Sequence, residues 1–325
     1  MRRYFSLIFV AGLLTCAIAP LAAWQSKEPA KVTEDDEVGY VCPMHPDFTS
    51  DKAGKCGRCG MNLVVGTLFD MRDDRLEFTT VPAAVKAGEK ITLNFKIFHP
   101  GTGEAVKDFE LVHDKPYHLF VMSQDLEYFQ HIHPQEKDDG TWTIDVVLPK
   151  PGYYAVLSDF LPKGGSGQFL ARPLITAGYT GDLAAGSAHL VPDSVHIQTV
   201  DDLKAEVTYD PGTLQAGSYA HLTFHLTNAA TDQPVRDLQT YLGAFGHMLI
   251  VSEDLQDYVH SHPVGETLSP DMNLEEERGG PTVMFEALMP KPGRYRAWTQ
   301  FRYHDKIHTV TNTFEVLDVG QSGSR

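Results

Sequence analysis

The chain has 325 residues, of which 42% are hydrophobic and 10% aromatic, enough for two domains of ordinary size plus a small module. Its formal net charge is −16 at pH 7. Such an acidic balance argues against nucleic acids and anionic membrane surfaces as partners, and is compatible with attracting cations.

The N-terminal segment is predicted to direct export. Arg2 and Arg3 precede a long apolar run that closes with small residues, so residues 1–23 are typical of a signal peptide. The run is also long enough to span a membrane, so retention as an N-terminal anchor stays open. Either outcome predicts a periplasmic or secreted protein. Residues 24–38 are polar and charged, which favours a linker.

Residues 39–67 form a short module that is rich in candidate metal ligands. Two pairs occur at a two-residue spacing, Cys42 with His45 and Cys56 with Cys59. This spacing lets two side chains converge on one ion from a tight turn, and three cysteines with one histidine complete a tetrahedral Zn²⁺ set. Thiolates also suit Cu(I), and Met44 and Met61 stand beside them as further soft ligands.

The cysteine count supports a metal at this module. Without residues 1–23 the chain keeps three cysteines, and an odd number in an exported protein cannot form a closed disulfide set. So short a module also has too little core to fold without a metal or a covalent link. The alternative is a disulfide between Cys56 and Cys59 that leaves Cys42 as a thiol.

The module resembles a known family. Its two motifs are Tyr-x-Cys-Pro-Met-His-Pro at 40–46 and Gly-Lys-Cys-x-x-Cys-Gly-Met-x-Leu at 54–63. They resemble the heavy-metal-binding domain found on some copper-transporting P-type ATPases and on periplasmic adaptors of copper/silver efflux pumps. The resemblance, over residues 40–64, implies transition-metal binding by Cys42, His45, Cys56 and Cys59, with Met44 and Met61 nearby. Gly57 stands where the family often has proline, which leaves the ligands intact.

The resemblance implies metal binding and not pumping. The membrane helices of the ATPases and the helical hairpin of the adaptors are not found in this sequence. A metal-efflux or metal-delivery system is therefore a candidate partner, besides the metal ions themselves.

After residue 72 the chain consists of short β-rich runs separated by turn-forming residues, with no convincing helical periodicity. Several such runs at short spacing predict antiparallel sandwiches. The predicted fold class is all-β, with the small Cys/His module followed by two duplicated sandwiches at 74–178 and 195–319. A Gly-, Ala- and Ser-rich linker is predicted between them at 179–194.

The duplication is visible as matching residues at constant offsets. The offset is 129 for Pro82 with Pro211 and for Leu93 with Leu222, and 141 for Tyr154 with Tyr295. A period near 130 residues indicates a duplicated domain. The change of offset predicts a 12-residue insertion in an acidic loop within residues 264–281. The Pro-Gly-x-Tyr elements are similar to tyrosine corners, and the copies are faintly similar to exported immunoglobulin-like domains of the YtkA-like kind.

Each copy contains a hairpin with three histidines at the same spacing. The hairpins span 118–134 and 247–263, and seven of their 17 positions are identical. A four-residue turn would pair His118 with His133, and side chains two residues apart share a face. Each set of three imidazoles is then expected to project from one patch and to bind Zn²⁺ or Cu²⁺. The candidate ligands are His118, His131 and His133 in the first copy, and His247, His260 and His262 in the second.

Other interpretations of these residues remain open. Histidine is an ordinary surface residue, although the recurrence of all three positions weighs against chance. His308 on the last predicted strand is either a fourth ligand in the second copy or a surface residue. Asp125 and Asp254 are expected to bond turn amides. His113 lies outside the repeated triplet and is not a candidate.

The sequence thus predicts an exported protein that sequesters or hands over copper, zinc or a similar ion, and not an enzyme. A metalloenzyme is one alternative, because three histidines with an open fourth position also form catalytic sites. However, no acid or base repeats with the triplets apart from the turn aspartate. A structural or interaction protein with incidental histidines is the other alternative.

Overall fold

The computed structural model of the protein describes residues 39–42, 48–66, 73–181, 188–265 and 273–320. The predicted signal segment and first linker lie outside these residues. All regular elements in the described ranges are strands, so the all-β prediction is confirmed. No helix in those ranges has the length and apolarity needed to cross a membrane.

The N-terminal module is a small antiparallel sheet. Its strands are β1 (Gly39–Val41), β2 (Thr49–Ser50) and β3 (Val64–Gly66). They pair in the order β2-β1-β3. The buried centre of the module consists of Cys42, Cys56 and Leu63. So small a core agrees with the expectation that a metal holds the module together.

The first sandwich consists of two four-stranded sheets. Its strands are β4 (Arg75–Val81), β5 (Lys90–Phe98), β6 (Tyr117–Ser123), β7 (Phe129–Ile132), β8 (Gln135–Glu136), β9 (Trp142–Val147), β10 (Tyr153–Phe160) and β11 (Gln168–Ile175). One sheet has the order β4-β5-β9-β8 and the other β11-β10-β6-β7. Alternating apolar residues such as Leu93, Phe95 and Ile97 fill the space between the two sheets.

The second sandwich repeats this plan with additional short strands. Its strands are β12 (Ile197–Val200), β13 (Leu203–Asp210), β14 (Leu214–Gln215), β15 (Tyr219–Asn228), β16 (Leu238–Gln239), β17 (His247–Ser252), β18 (Tyr258–Ser261), β19 (Arg278–Gly279), β20 (Thr282–Leu288), β21 (Gly293–Tyr303) and β22 (Lys306–Leu317). One sheet has the order β12-β13-β15-β20. In the other, β21 pairs with both β22 and β17, and β17 pairs with β18.

The two sandwiches have equivalent strands in equivalent places. Strands β6, β7, β10 and β11 of the first correspond to β17, β18, β21 and β22 of the second. The tyrosine corners are present in both, because the Tyr154 hydroxyl donates to the Lys150 carbonyl at 2.7 Å and Tyr295 to Lys291 at 2.8 Å. Part of the predicted insertion loop, 266–272, lies outside the described residues. Its described remainder contains β19.

The histidine-bearing sheets of the two sandwiches pack against each other. All seven positions of β6 are buried, because one face points into its own sandwich and the other faces the second sandwich. The apolar contact between the sheets includes Phe120, Met122, Leu126, Leu157, Leu249, Val251, Leu255 and Trp298. Phe129 stacks on Trp298 across it, with ring centroids 4.7 Å apart. The histidine-bearing face of each sandwich is therefore covered by the other copy.

Candidate metal centres

The two hairpins have the predicted register. His131 pairs with Phe120, and the Ser123 amide donates to the Tyr128 carbonyl at 3.0 Å across a four-residue turn. In the second copy the Ser252 amide donates to Asp257 in the same way, at 2.9 Å. Asp125 and Asp254 accept backbone amides of their turns, as expected. The even turn length places the outer histidines of each hairpin opposite each other.

Seven histidines meet where the two sheets pack, at one end of the apolar contact. Within the first copy, the ring centroids of His118 and His133 are 5.0 Å apart. Between the copies, those of His118 and His260 are 5.5 Å apart, and those of His131 and His247 are 5.7 Å apart. We call this group the histidine cluster, and its members are His113, His118, His131, His133, His247, His260 and His262.

The cluster contains two sets of three ligand atoms, and within each set the atoms lie within 4.8 Å of one another. The first set is His118, His131 and His133, as the sequence predicts. The second set is His113, His247 and His262, whereas the sequence prediction groups His260 with His247 and His262. His113 from the first copy takes the place expected for His260.

His113 was not predicted as a ligand from the sequence, because its position does not hold a histidine in both copies. Its equivalent in the second copy is Leu242, in the same left-handed turn, with φ of 48° at His113 and 51° at Leu242. That turn brings the His113 ring onto His262, with centroids 3.5 Å apart and planes inclined by 15°. This contact forms only because the two copies pack together, so no local pattern in the sequence predicts it.

Backbone carbonyls set the protonation of one histidine in each copy. His118 Nε2 lies 2.8 Å from the Val112 carbonyl oxygen, and His247 Nε2 lies 2.8 Å from that of Tyr241. A carbonyl only accepts, so Nε2 carries the proton in both rings. The neutral imidazole then has its lone pair on Nδ1, as a metal ligand requires.

Residues of the opposite copy orient the next histidine. His131 Nδ1 donates to Gln300 Oε1 at 2.9 Å, and His260 Nδ1 donates to Asp159 Oδ2 at 2.5 Å. Asp159 and Gln300 occupy equivalent positions at the offset of 141. Each sandwich thus holds a ring of the other, and both rings keep Nε2 for a ligand. Such outer partners are typical of metal-binding histidines.

Two lone pairs therefore face each other in the first set. His118 Nδ1 and His131 Nε2 are 3.0 Å apart, and neither nitrogen carries a proton in the neutral tautomers set by the Val112 carbonyl and by Gln300 Oε1. Two imidazole nitrogens bound to one ion at about 2.05 Å are separated by about 2.9 Å in square-planar and about 3.4 Å in tetrahedral geometry. A cation between the two rings fits the observed separation.

Burial keeps six rings of the cluster neutral by lowering their pKa values. It lowers the pKa of His118 to about 4 and that of His133 to about 3, and repulsion by neighbouring histidines adds to it. Burial also lowers the pKa well below the usual range for His113, His131, His247 and His262. Neutral imidazoles are the form that binds metal.

Several ring nitrogens of the cluster have no hydrogen-bond partner among the described atoms. They are His113 Nε2, His133 Nε2, His247 Nδ1 and His260 Nε2. Leaving a buried polar atom unsatisfied costs about 1–3 kcal/mol, so four in one cluster call for a ligand. A cavity of about 250 Å³, lined partly by Asp159, Tyr258, His260 and His262, reaches the cluster.

His308 does not join the cluster. It is fully buried on β22, where Nδ1 lies 3.1 Å from the Val200 carbonyl oxygen and Nε2 lies 3.1 Å from that of Tyr303. Both ring nitrogens are therefore engaged by backbone. The interpretation of His308 as a fourth ligand has no support in this geometry, and it is not a surface residue either.

The cysteines of the N-terminal module also converge. The sulfurs of Cys42, Cys56 and Cys59 lie within 4.8 Å of one another. Those of Cys42 and Cys59 are 3.6 Å apart, well beyond the roughly 2.05 Å of a disulfide. The contact with Cys42 lowers the pKa of the Cys59 thiol. His45 and Met44 lie outside the described residues, and Met61 accepts the Cys56 amide through its carbonyl at 2.8 Å.

Comparisons with known families match both parts of the chain. A family model described as "Domain of unknown function (DUF8832)" matches residues 71–171 and again 198–318, which together exceed half of the chain. A second, described as "Heavy metal binding domain", matches residues 40–64. The resemblance of the module to that family is thus confirmed. A search of curated proteins found no match.

The similar solved structures are remote. An adhesin of Escherichia coli, FdeC, is 13% identical, with a TM-score of 0.25, over 79% of this chain and 71% of that one. A putative membrane anchored protein of Corynebacterium diphtheriae is 12% identical, with a TM-score of 0.24, over 78% and 61%. InvD of Yersinia pseudotuberculosis is 10% identical, with a TM-score of 0.23, over 77% and 60%. The matches span less than two thirds of the latter two chains, and scores this low carry no argument.

Proposed function

This chain belongs to the family of the domain of unknown function DUF8832, and we propose that its two copies and its heavy metal binding domain together sequester or hand over transition-metal ions in the cell envelope. The observation that carries the proposal is the 3.0 Å approach of two lone-pair nitrogens, His118 Nδ1 and His131 Nε2. Buried side chains of a purely structural interface pair a donor with an acceptor. Here two acceptors are paired, which a bound cation explains.

The two sites suit different ions. The histidine cluster offers imidazole nitrogen, which suits Cu²⁺ or Zn²⁺, whereas the cysteine site suits Zn²⁺ or Cu(I). Export is supported by the N-terminal charge and apolar run. A protein with a soft site and a borderline site is equipped to hold ions of both kinds, each without a change of oxidation state. The cavity beside His260 supplies a path for exchange with a delivery or efflux partner.

Replacing His131 and His133 together with alanine is expected to remove one equivalent of bound Cu²⁺ or Zn²⁺ per chain, because two of the three ligands in the first set are lost. Elemental analysis of protein purified from its native compartment measures the ratio. The matched control is the double replacement of His99 and His225, which are exposed and lie outside the cluster. Unchanged stoichiometry in a folded His131→Ala/His133→Ala protein would overturn the assignment.

Replacing Cys56 with serine is expected to remove the ion of the cysteine module and to leave the equivalents held by the histidine cluster unchanged. The hydroxyl of serine is a far poorer ligand for a soft or borderline ion than a thiolate. Native mass spectrometry of the variant and the parent chain measures both. A stable disulfide between Cys56 and Cys59 in the parent protein, with no bound metal, would contradict the prediction.

A metalloenzyme is the second candidate function, and the cavity beside the cluster is the observation that favours it. An ion held by three histidines keeps an open position for a water or a substrate, and Asp159 lines the same cavity. Turnover of CO₂, simple esters or oxidisable phenols by the metal-loaded protein tests it. A protein that binds metal stoichiometrically without turnover on any of these supports the binding role.

A further inference from the structure

The histidine cluster has one ring more than two sets of three. His260 belongs to neither set, yet its ring centroid lies 4.3 Å from that of His262 and 5.5 Å from that of His118. Its Nδ1 is held by Asp159, and its Nε2 has no hydrogen-bond partner among the described atoms. The spare ring thus lies between the two sets, oriented as a ligand.

We propose that the histidine cluster is one centre for two divalent ions and is built from both copies. In this centre the Nε2 atom of His260 binds whichever of the two ions lacks a fourth ligand. This inference rests on the proposed function, since it presupposes that the cluster binds metal. It differs from the arrangement that the sequence predicts, in which each copy binds its own ion independently. The ions it would take are Cu²⁺ and Zn²⁺, because every ligand is an imidazole.

The rings of the two sets lie close together. Rings of opposite sets approach to 5.7 Å between His131 and His247 and to 6.3 Å between His118 and His247, measured between centroids. These separations are close to those within a set, such as 5.3 Å between His118 and His131. Two Cu²⁺ ions bound at the two sets would therefore be close enough for their unpaired electrons to couple.

The centre also depends on both copies, because one set mixes ligands from the two copies and the other is oriented across the contact. The second set takes His113 from the first copy and His247 and His262 from the second. In the first set, His131 is oriented by Gln300 of the second copy. Separating the two sandwiches removes a ligand from one set and an orienting partner from the other. The centre exists only at the contact between the copies.

The number of imidazoles in the cluster also fits two ions. Closed tetrahedral sites use four protein ligands, whereas sites that exchange a ligand keep three and an open position. Seven imidazoles supply four to one ion and three to the other, with His260 completing either. The two ions are therefore inequivalent at any moment, and the ion with three imidazoles is the exchangeable one. The cavity touches His260 and His262, on the side where that exchange would occur.

The experiment loads Cu²⁺ alone into the full chain with the cysteine ligands replaced (C42S/C56S/C59S), so that every bound ion is held by imidazole. We expect two Cu²⁺ per chain and an electron paramagnetic resonance spectrum broadened by coupling between them. The double variant His113→Asn/His260→Asn is expected to bind one Cu²⁺ with an uncoupled spectrum, because the second position then keeps only His247 and His262. Asp159→Asn is expected to keep two ions and to weaken one by about 10–100-fold, because His260 loses its carboxylate partner.

The outcomes separate this inference from the proposed function. Two ions with isolated spectra, a single ion, or two ions retained in His113→Asn/His260→Asn would each overturn the shared centre while leaving metal binding intact. No bound Cu²⁺ in the histidine cluster would overturn both. The matched control is His225→Ala, an exposed histidine of the second sandwich, which should keep two coupled ions. The spectrum of the chain with an unaltered histidine cluster tests the coupling even if His113→Asn/His260→Asn fails to fold.

Discussion

Acidification from pH 7.5 to pH 4.5 is expected to reduce the free energy of unfolding of the metal-free protein by several kcal/mol. In the folded protein, burial lowers the pKa of His118 to about 4, whereas an exposed histidine of the unfolded chain titrates near pH 6.5. For this one residue the difference corresponds to about 3 kcal/mol. The other buried histidines of the cluster change in the same direction.

The direction of this change in the free energy of unfolding follows from proton uptake. Between about pH 6.5 and pH 4 the unfolded chain binds more protons than the folded one, so stability rises with pH in this window. The contribution is complete above about pH 6.5 and is lost as the pH falls through the lowered values. Urea unfolding of chelator-treated protein at several pH values measures the change. His225→Ala, at an exposed position, should keep the same profile, and a flat profile between pH 7 and pH 4.5 would refute the prediction.

Replacing Trp298 with alanine is expected to cost about 3–5 kcal/mol of stability and also to weaken metal binding, although Trp298 is not a ligand. Its ring stacks on Phe129 of the other copy with an interplanar angle of 6°. It belongs to the apolar contact that holds the two histidine-bearing sheets together. Removing Trp298 loosens that contact. The hydrogen bonds that orient His131 against Gln300 and His260 against Asp159 cross the same contact, so the geometry of the ligands is expected to loosen with it.

The matched control for Trp298 is Phe314→Ala. Phe314 is a buried aromatic residue of the second sandwich, stacked on Tyr295 within that sandwich's own core. Its loss should lower stability to a comparable degree with little effect on the affinity of the folded protein for Zn²⁺. Urea unfolding and isothermal titration at a temperature where both variants are folded measure the two quantities. Equal affinities in Trp298→Ala and Phe314→Ala would show that the contact between the copies does not govern the site.

The sequence was sufficient to predict the class of fold, the duplication and the register of both hairpins. These properties depend on local patterns. Alternating apolar residues identify strands, repeated residues at constant offsets identify copies, and turn length decides which side chains share a face. The convergence of Cys42, Cys56 and Cys59 was predictable for the same reason, since all three lie within 18 residues of one another along the chain.

The relation between the two copies was decided by tertiary packing. Periodicity shows which face a side chain occupies but not what covers that face. One feature of the sequence did indicate that the first hairpin strand is covered on both faces. Leu119–Met122 is apolar at every position, as in strands that are buried on both sides.

By itself the sequence therefore determined the strands, the repeated hairpins and the kinds of ligand atom that the protein carries. Tertiary structure alone determined that the two hairpins face each other, that His113 replaces His260 in the second set, and that His308 is excluded. The bonds responsible join residues far apart in the chain, 169 positions for His131 with Gln300 and 101 for His260 with Asp159. Such contacts depend on how whole sheets pack, and neither propensity nor spacing within one copy encodes that packing.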